Sequence, residues 1–171
     1  MSRHAGPGPG AQPPLPQEPS HAERARALVH LARAGTLSTL SRRHPGHPFG
    51  SVMPYAPDSR GAPLLLISSM AMHTQNLEAD PRASLLVTEA GRAGDPLAGG
   101  RVTLVGRAAR VPEGERAAAR ALYLERHPAA KEWVDFEDFD FWRLEVSDVY
   151  FVGGFGAMGW VTAADYAAAN A

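Results

Sequence analysis

The chain has 171 residues, no cysteine and a formal net charge of -1. It is long enough for one domain with a substantial core, and it offers no disulfide framework, thiolate metal site or cysteine nucleophile. The near-neutral balance supplies no basic field for nucleic acid or an anionic membrane, so any redox chemistry needs a borrowed cofactor.

Residues 1–19 are rich in Pro and Gly and contain no apolar stretch, which predicts a disordered tail with neither the apolar region of a secretory signal nor a membrane span. Residues 20–171 then form a single domain, and a cytoplasmic location is expected. Of the 17 basic residues, 16 are Arg and one, Lys131, is Lys, a bias that nucleotide composition explains as readily as selection for anion recognition.

Ser20 and Glu23 make a capping box ahead of a helix ended by Gly35, with Ala25, Leu28, Leu31 and Ala32 on one face. TLSTLS (36–41), FGSVMPYA (49–56) and APLLLIS (62–68) are short β-prone runs between Pro, Gly, Asp and His, with a hairpin turn at 57–61. HTQNLEAD is a short helix stopped by Pro81, and ASLLVTE (83–89) suits a buried strand. A Gly-rich loop follows over 91–100. RVTLVGRAARV (101–111) reads as a strand bent at Gly106, and Pro112 with Glu113 opens a helix ending near His127. The acidic, aromatic stretch 134–142 reads as a solvated loop anchored by its phenylalanines, leading into a strand from Arg143. The end reads as a loop followed by a short helix capped by Thr162. About six strands in hairpin order, with helices before, between and after them, predict an antiparallel barrel or rolled sheet. A parallel nucleotide-binding sheet has no room for its crossover helices.

The passage from strand to helix at 67–81 carries Ser68, Ser69, His73, Thr74 and Asn76. Unpaired amides at a helix start favour an anion, so a phosphate could be held there; the same residues could equally cap the helix. In FGSVMPY, Ser51, Met53 and Tyr55 share one face and Val52 and Pro54 the other, and Pro54 marks an edge or interrupted ladder where a flat heterocycle could lie. GGFGAMGW (153–160) lets backbone approach a ligand beside Phe155 and Trp160, although it lacks the spacing of a phosphate fingerprint. Arg101 is a candidate anion partner. His44 and His47, each before a Pro and on no helix, are poor metal ligands, and no metal site is expected.

The order P-F-G-S-x-x-P-Y, L-L-x-I-S-x-x-A-x-H-T-x-N-L-x-x-D-P-R-x-S-L-L-V, R-V-T-L-x-G, W-R-L and V-G-G-F-G resembles the pyridoxamine 5′-phosphate oxidase-like split barrels, nearest to their haem-utilisation and CREG-like branch. The likeness runs over about residues 20–161. It implies a mainly β fold, a six-stranded antiparallel split barrel of the FMN-binding type with flanking helices. It also implies a homodimer with FMN in clefts at the subunit interface. Carried over, Ser51, Val52, Met53 and Pro54 line the isoalloxazine and ribityl chain, Ser68 and Ser69 its edge, and His73, Thr74 and Asn76 the phosphate. Arg101 is a further contact, and Trp160 closes the cleft. The chain departs from the oxidases in reading Met72-His73 where they carry a basic pair, and in lacking their C-terminal Arg-x-His substrate signature. The expected function is FMN-dependent electron transfer to an unidentified small molecule. The alternatives are a haem-binding or haem-degrading protein on the same barrel, with His73 a possible iron ligand, and a binding protein that has lost its cofactor.

Overall fold

A computed structural model of the protein describes residues 18–89, 95, 97–154 and 156–171. The tail expected over 1–19 lies outside the described residues except for Glu18 and Pro19, as do Phe155 and most of the first half of the Gly-rich loop.

The first helix, α1 (His21–Leu31), opens on the capping box: Glu23 N donates to Ser20 Oγ at 3.2 Å and Ser20 N to Glu23 Oε2 at 2.8 Å. Its buried face is Ala25, Arg26 and Val29, while Leu31 is exposed. The apolar face assigned from the sequence is therefore rotated, because the helix stops at Leu31 and the chain turns extended at Ala32. The strands are β1 (Ala34–Leu40), β2 (Pro48–Pro54), β3 (Ala56–Pro57), β4 (Pro63–Ser68), β5 (Arg82–Thr88), β6 (Arg101–Arg110), β7 (Phe139–Val152) and β8 (Met158–Thr162). The remaining helices are α2 (Met72–Ala79), α3 (Glu113–Arg126) and α4 (Ala163–Ala168), with a 3-10 turn at Pro128–Glu132.

All the strands join one antiparallel sheet in the order β2-β1-β5-β6-β7-β4-β3, with β8 on β7. Residues 48–57 are one run of chain parted at Tyr55: its first half pairs with β1 and its second with β4. That run spans the sheet's two ends and closes the split barrel. Tyr55 is fully buried at this crossing; its hydroxyl donates to Val29 O at 2.8 Å, and desolvation raises its pKa.

The split barrel is as expected, but among the described residues it has eight strands rather than six. The segment expected to be a loop before the last helix contains β8, because Gly154, at φ 100°, turns the chain and the Gly153 amide donates to Ala157 O at 2.7 Å. The acidic stretch is a loop only up to Asp138, since Phe141 and Trp142 are buried within β7. At Gly106 the β6–β7 register shifts. A Cβ there would stand 2.0 Å from Glu145 O, so only glycine fits the bend.

β4 is buried on both faces, hence its continuous apolar run. Leu65 and Ile67 join the barrel interior with Leu37, Leu85, Leu104 and Leu144, whereas Leu64 and Leu66 meet Ala119 and Tyr123 of α3. β5 is buried on one face only: Leu85 and Val87 point inward and Leu86 outward. Among the described residues no helix is long and apolar enough to cross a membrane.

Candidate functional site

The turn from β4 into α2 is closed by its own side chains. Ser68 Oγ donates to Asp138 Oδ2 at 2.6 Å and accepts from the Met70 amide at 3.1 Å. The Ser69 amide donates to Asp138 O at 2.7 Å, and Thr74 Oγ1 donates to Ser68 O at 2.7 Å. Asn76 is fully buried; its Nδ2 donates to Thr39 Oγ1 at 3.0 Å and its Oδ1 accepts from the Arg42 amide at 2.9 Å. Asn76 therefore ties α2 to the end of β1.

Arg110 braces α2 against β7 through Glu78, at 2.7 Å, and Asp140, with its guanidinium over the Trp142 ring. The acidic segment is thus a clamp on the turn, a role that its charge and exposure in the sequence did not suggest. No side chain caps the start of α2, so its first amides are the donors left for an anion. His73 is half-buried, and burial lowers its pKa, favouring the neutral imidazole.

The strand that was expected to carry a flat cofactor is an edge, as Pro54 suggested. Met53 and Tyr55 are core residues, Ser51 is half-buried, and Val52 and Pro54 face solvent, Val52 at 81% exposure. Val52 starts a line of neighbours across the outer face: Val52 opposite Thr36, then Leu86, Thr103, Tyr150 and Trp160. Trp160 is 64% exposed, with its ring 5.0 Å from that of Tyr150. One row along, Arg101 lies between Thr88 and Val152, which is followed by the exposed Met158. Arg101 also donates to Leu97 O at 3.1 Å.

The turn and the outer face therefore contain the sequence-derived residues as two groups. Ser68, Ser69, His73, Thr74 and Asn76 belong to the turn, with Ser68, Thr74 and Asn76 bonded inward. Val52, Arg101 and Trp160 belong to the outer face. Leu86, Thr103 and Tyr150 were missed there; Leu86 left a signal, being apolar at a position of β5 where alternation calls for a polar residue. Trp160 also walls a groove of about 580 Å³ shared with His21, Glu23 and Asp165. His44 and His47 sit on an exposed loop with ring centroids 6.4 Å apart, and His127 bonds Tyr55 O at 2.8 Å.

The CREG β-barrel family model matches residues 16–168. The chloroplastic heme oxygenase HOZ of Arabidopsis thaliana is 42% identical over 135 residues, which make up 79% of this chain and 41% of that protein. Human CREG1 is 28% identical over 168 residues, 90% of this chain and 76% of its own. A heme-binding protein from Mycobacterium smegmatis superposes with a TM-score of 0.85 at 44% identity, over 91% of this chain and 63% of its own. The chain thus spans less than two thirds of the length of HOZ and of the mycobacterial protein. The length of the match, across every strand and all four helices, carries the assignment: the chain belongs to the CREG β-barrel family.

Proposed function

We propose that the protein binds haem on the outer face of the split barrel, between two copies of the chain. What supports this is the exposed line from Val52 to Trp160. Val52, Leu86, Tyr150 and Trp160 lie in register with Thr36 and Thr103 across five neighbouring strand pairs, with Arg101 one row along. Exposed apolar side chains gathered on one face mark a ligand or protein contact, and a broad flat ring with carboxylate ends suits this one. The likeness to a heme oxygenase and to a heme-binding protein favours the same ligand.

FMN is the poorer fit. Its phosphate would meet a turn whose Ser68, Thr74 and Asn76 side chains are bonded within the fold, with Asp138 beside it. Bound haem supplies a redox-active iron. The protein's own residues would then supply an apolar bed at Val52, Leu86 and Trp160 and guanidinium groups for the carboxylates.

Titrating the purified protein with hemin and with FMN tests the reading. A saturable Soret shift at one haem per chain is expected, and flavin binding without a hemin response would overturn it. Faster decay of that band than of free hemin, under air with ascorbate, extends the reading from binding to degradation.

A further inference from the structure

Next to the aromatic line, and sharing Thr103 with it, the same face holds a groove of about 520 Å³ over β1, β5, β6 and β7. Its lining includes Ser38, Ser84, Thr103 and Ser147 together with Arg82 and Arg107. The two arginines are direct cross-strand partners. Like charges directly opposite each other on neighbouring strands are destabilising, so the pairing calls for an anion.

The protein meets that need only in part. Asp80 takes Arg82 in a two-pronged pair, at 2.6 Å from Nη2 and 3.0 Å from Nε, and these hydrogen bonds pull its pKa down to about 2. Arg107 adds only a longer-range attraction to the same carboxylate. Its other cross-strand neighbour, Glu145, makes no ion pair with it, nor does any carboxylate among the described residues come within 4.0 Å of it. An exposed guanidinium thus stands at a mainly apolar groove that also carries Ser38, Ser84 and Thr103, with its fork of donors making no hydrogen bond among the described residues.

Thr103 of the aromatic line lies four residues from Arg107 on β6, and Leu86 four residues from Arg82 on β5. At roughly 3.3 Å per residue, the apolar bed and the cationic end are about 13 Å apart on one continuous face. We propose that this groove is the carboxylate subsite for haem, in which Arg107 forks a propionate while the ring lies toward Leu86 and Trp160. The proposal rests on the haem reading above, and charge complementarity selects the occupant: an apolar body with a planar anionic end, which a guanidinium recognises in bidentate fashion.

Wild type and Arg107→Gln should be titrated with hemin and with the dimethyl ester of hemin, whose carboxylates are blocked. Arg107 is exposed, and unchanged circular dichroism and unfolding midpoint would confirm that the variant folds. The expected result is a loss of roughly tenfold or more in hemin affinity, with affinity for the diester equal in the two proteins. Equal hemin affinity in both proteins overturns the subsite while leaving the haem reading intact, as does an equal loss for hemin and diester. A wild type that binds neither ligand sinks the haem reading, and the subsite with it.

Discussion

At the turn between β4 and α2, Ser68, Thr74 and Asn76 hydrogen-bond to the protein itself, whereas on the outer sheet face Val52, Leu86 and Trp160 are left to solvent. Both regions drew attention in the sequence, the turn through the string H-T-x-N-L and the face only through Val52, Arg101 and Trp160. The difference is one of commitment. Polar groups already paired inside the fold would have to break those bonds to serve a ligand, at a cost comparable with what the ligand returns. Exposed apolar side chains lose nothing when covered. The turn is therefore built as a structural device, and the face is the surface that the proposed haem reading uses for recognition.

The sharpest way to break that division is Asn76→Ala. It leaves the part-buried Arg42 amide without its acceptor and removes the buried amide that donates to Thr39, whose hydroxyl keeps its bond to Phe49 O. An expected loss of about 1–3 kcal/mol in unfolding free energy follows from removing two hydrogen bonds of a fully buried side chain, read by urea denaturation. Hemin affinity of the fraction that remains folded should stay near wild type. A stable Asn76→Ala protein that had lost its ligand would place the side chain in the site and reverse the assignment.

Trp160→Ala probes the other region and should give the opposite pattern. The ring is largely exposed and packs at a tilt against Tyr150 alone among the described aromatic residues, so a cross-strand aromatic pair worth less than about 1 kcal/mol is all that stability loses. Hemin affinity should fall by about tenfold or more, and self-association measured by sedimentation should weaken with it. A variant unaltered in both would mean that the face contacts neither haem nor a second copy.

How far the sequence revealed this division follows from what a pattern can encode. Local chemistry was legible: the capping box at Ser20 and Glu23, the bend at Gly106, the edge at Pro54 and the cap at Thr162 each depend on a few neighbouring residues. The closing of the barrel at Tyr55 was not, because it depends on pairings with β1 and β4 at once. β8 was hidden by Gly159 within it, which weakens strand propensity, and by the glycines before it, which permit the turn that pairs it with β7. The clamp by Asp138 joins residues 70 positions apart, and an acidic run read alone resembles any solvated loop. The Val52–Trp160 line and the Arg82–Arg107 pair are matters of register, which is invisible until the strands are aligned.

The smallest expected effect comes from His73, the one titratable side chain of the turn with its pKa lowered by burial. Because the folded value lies below the unfolded value of about 6.5, the unfolded chain binds the proton more readily. Stability therefore rises with pH between the folded value and about 6.5, is fully present above that window, and is lost as pH falls through it. Asp80, held down to about 2 by its hydrogen bonds to Arg82, stays charged throughout and adds no slope there. The urea midpoint of wild type should accordingly fall between pH 7.5 and pH 5, and His73→Gln, which cannot titrate, should lose part of that fall. Trp160→Ala and Arg107→Gln, on the other face, should retain it in full. A slope identical in wild type and His73→Gln would mean that the imidazole is solvated in both states, leaving the turn open enough for a ligand to compete for its side chains after all.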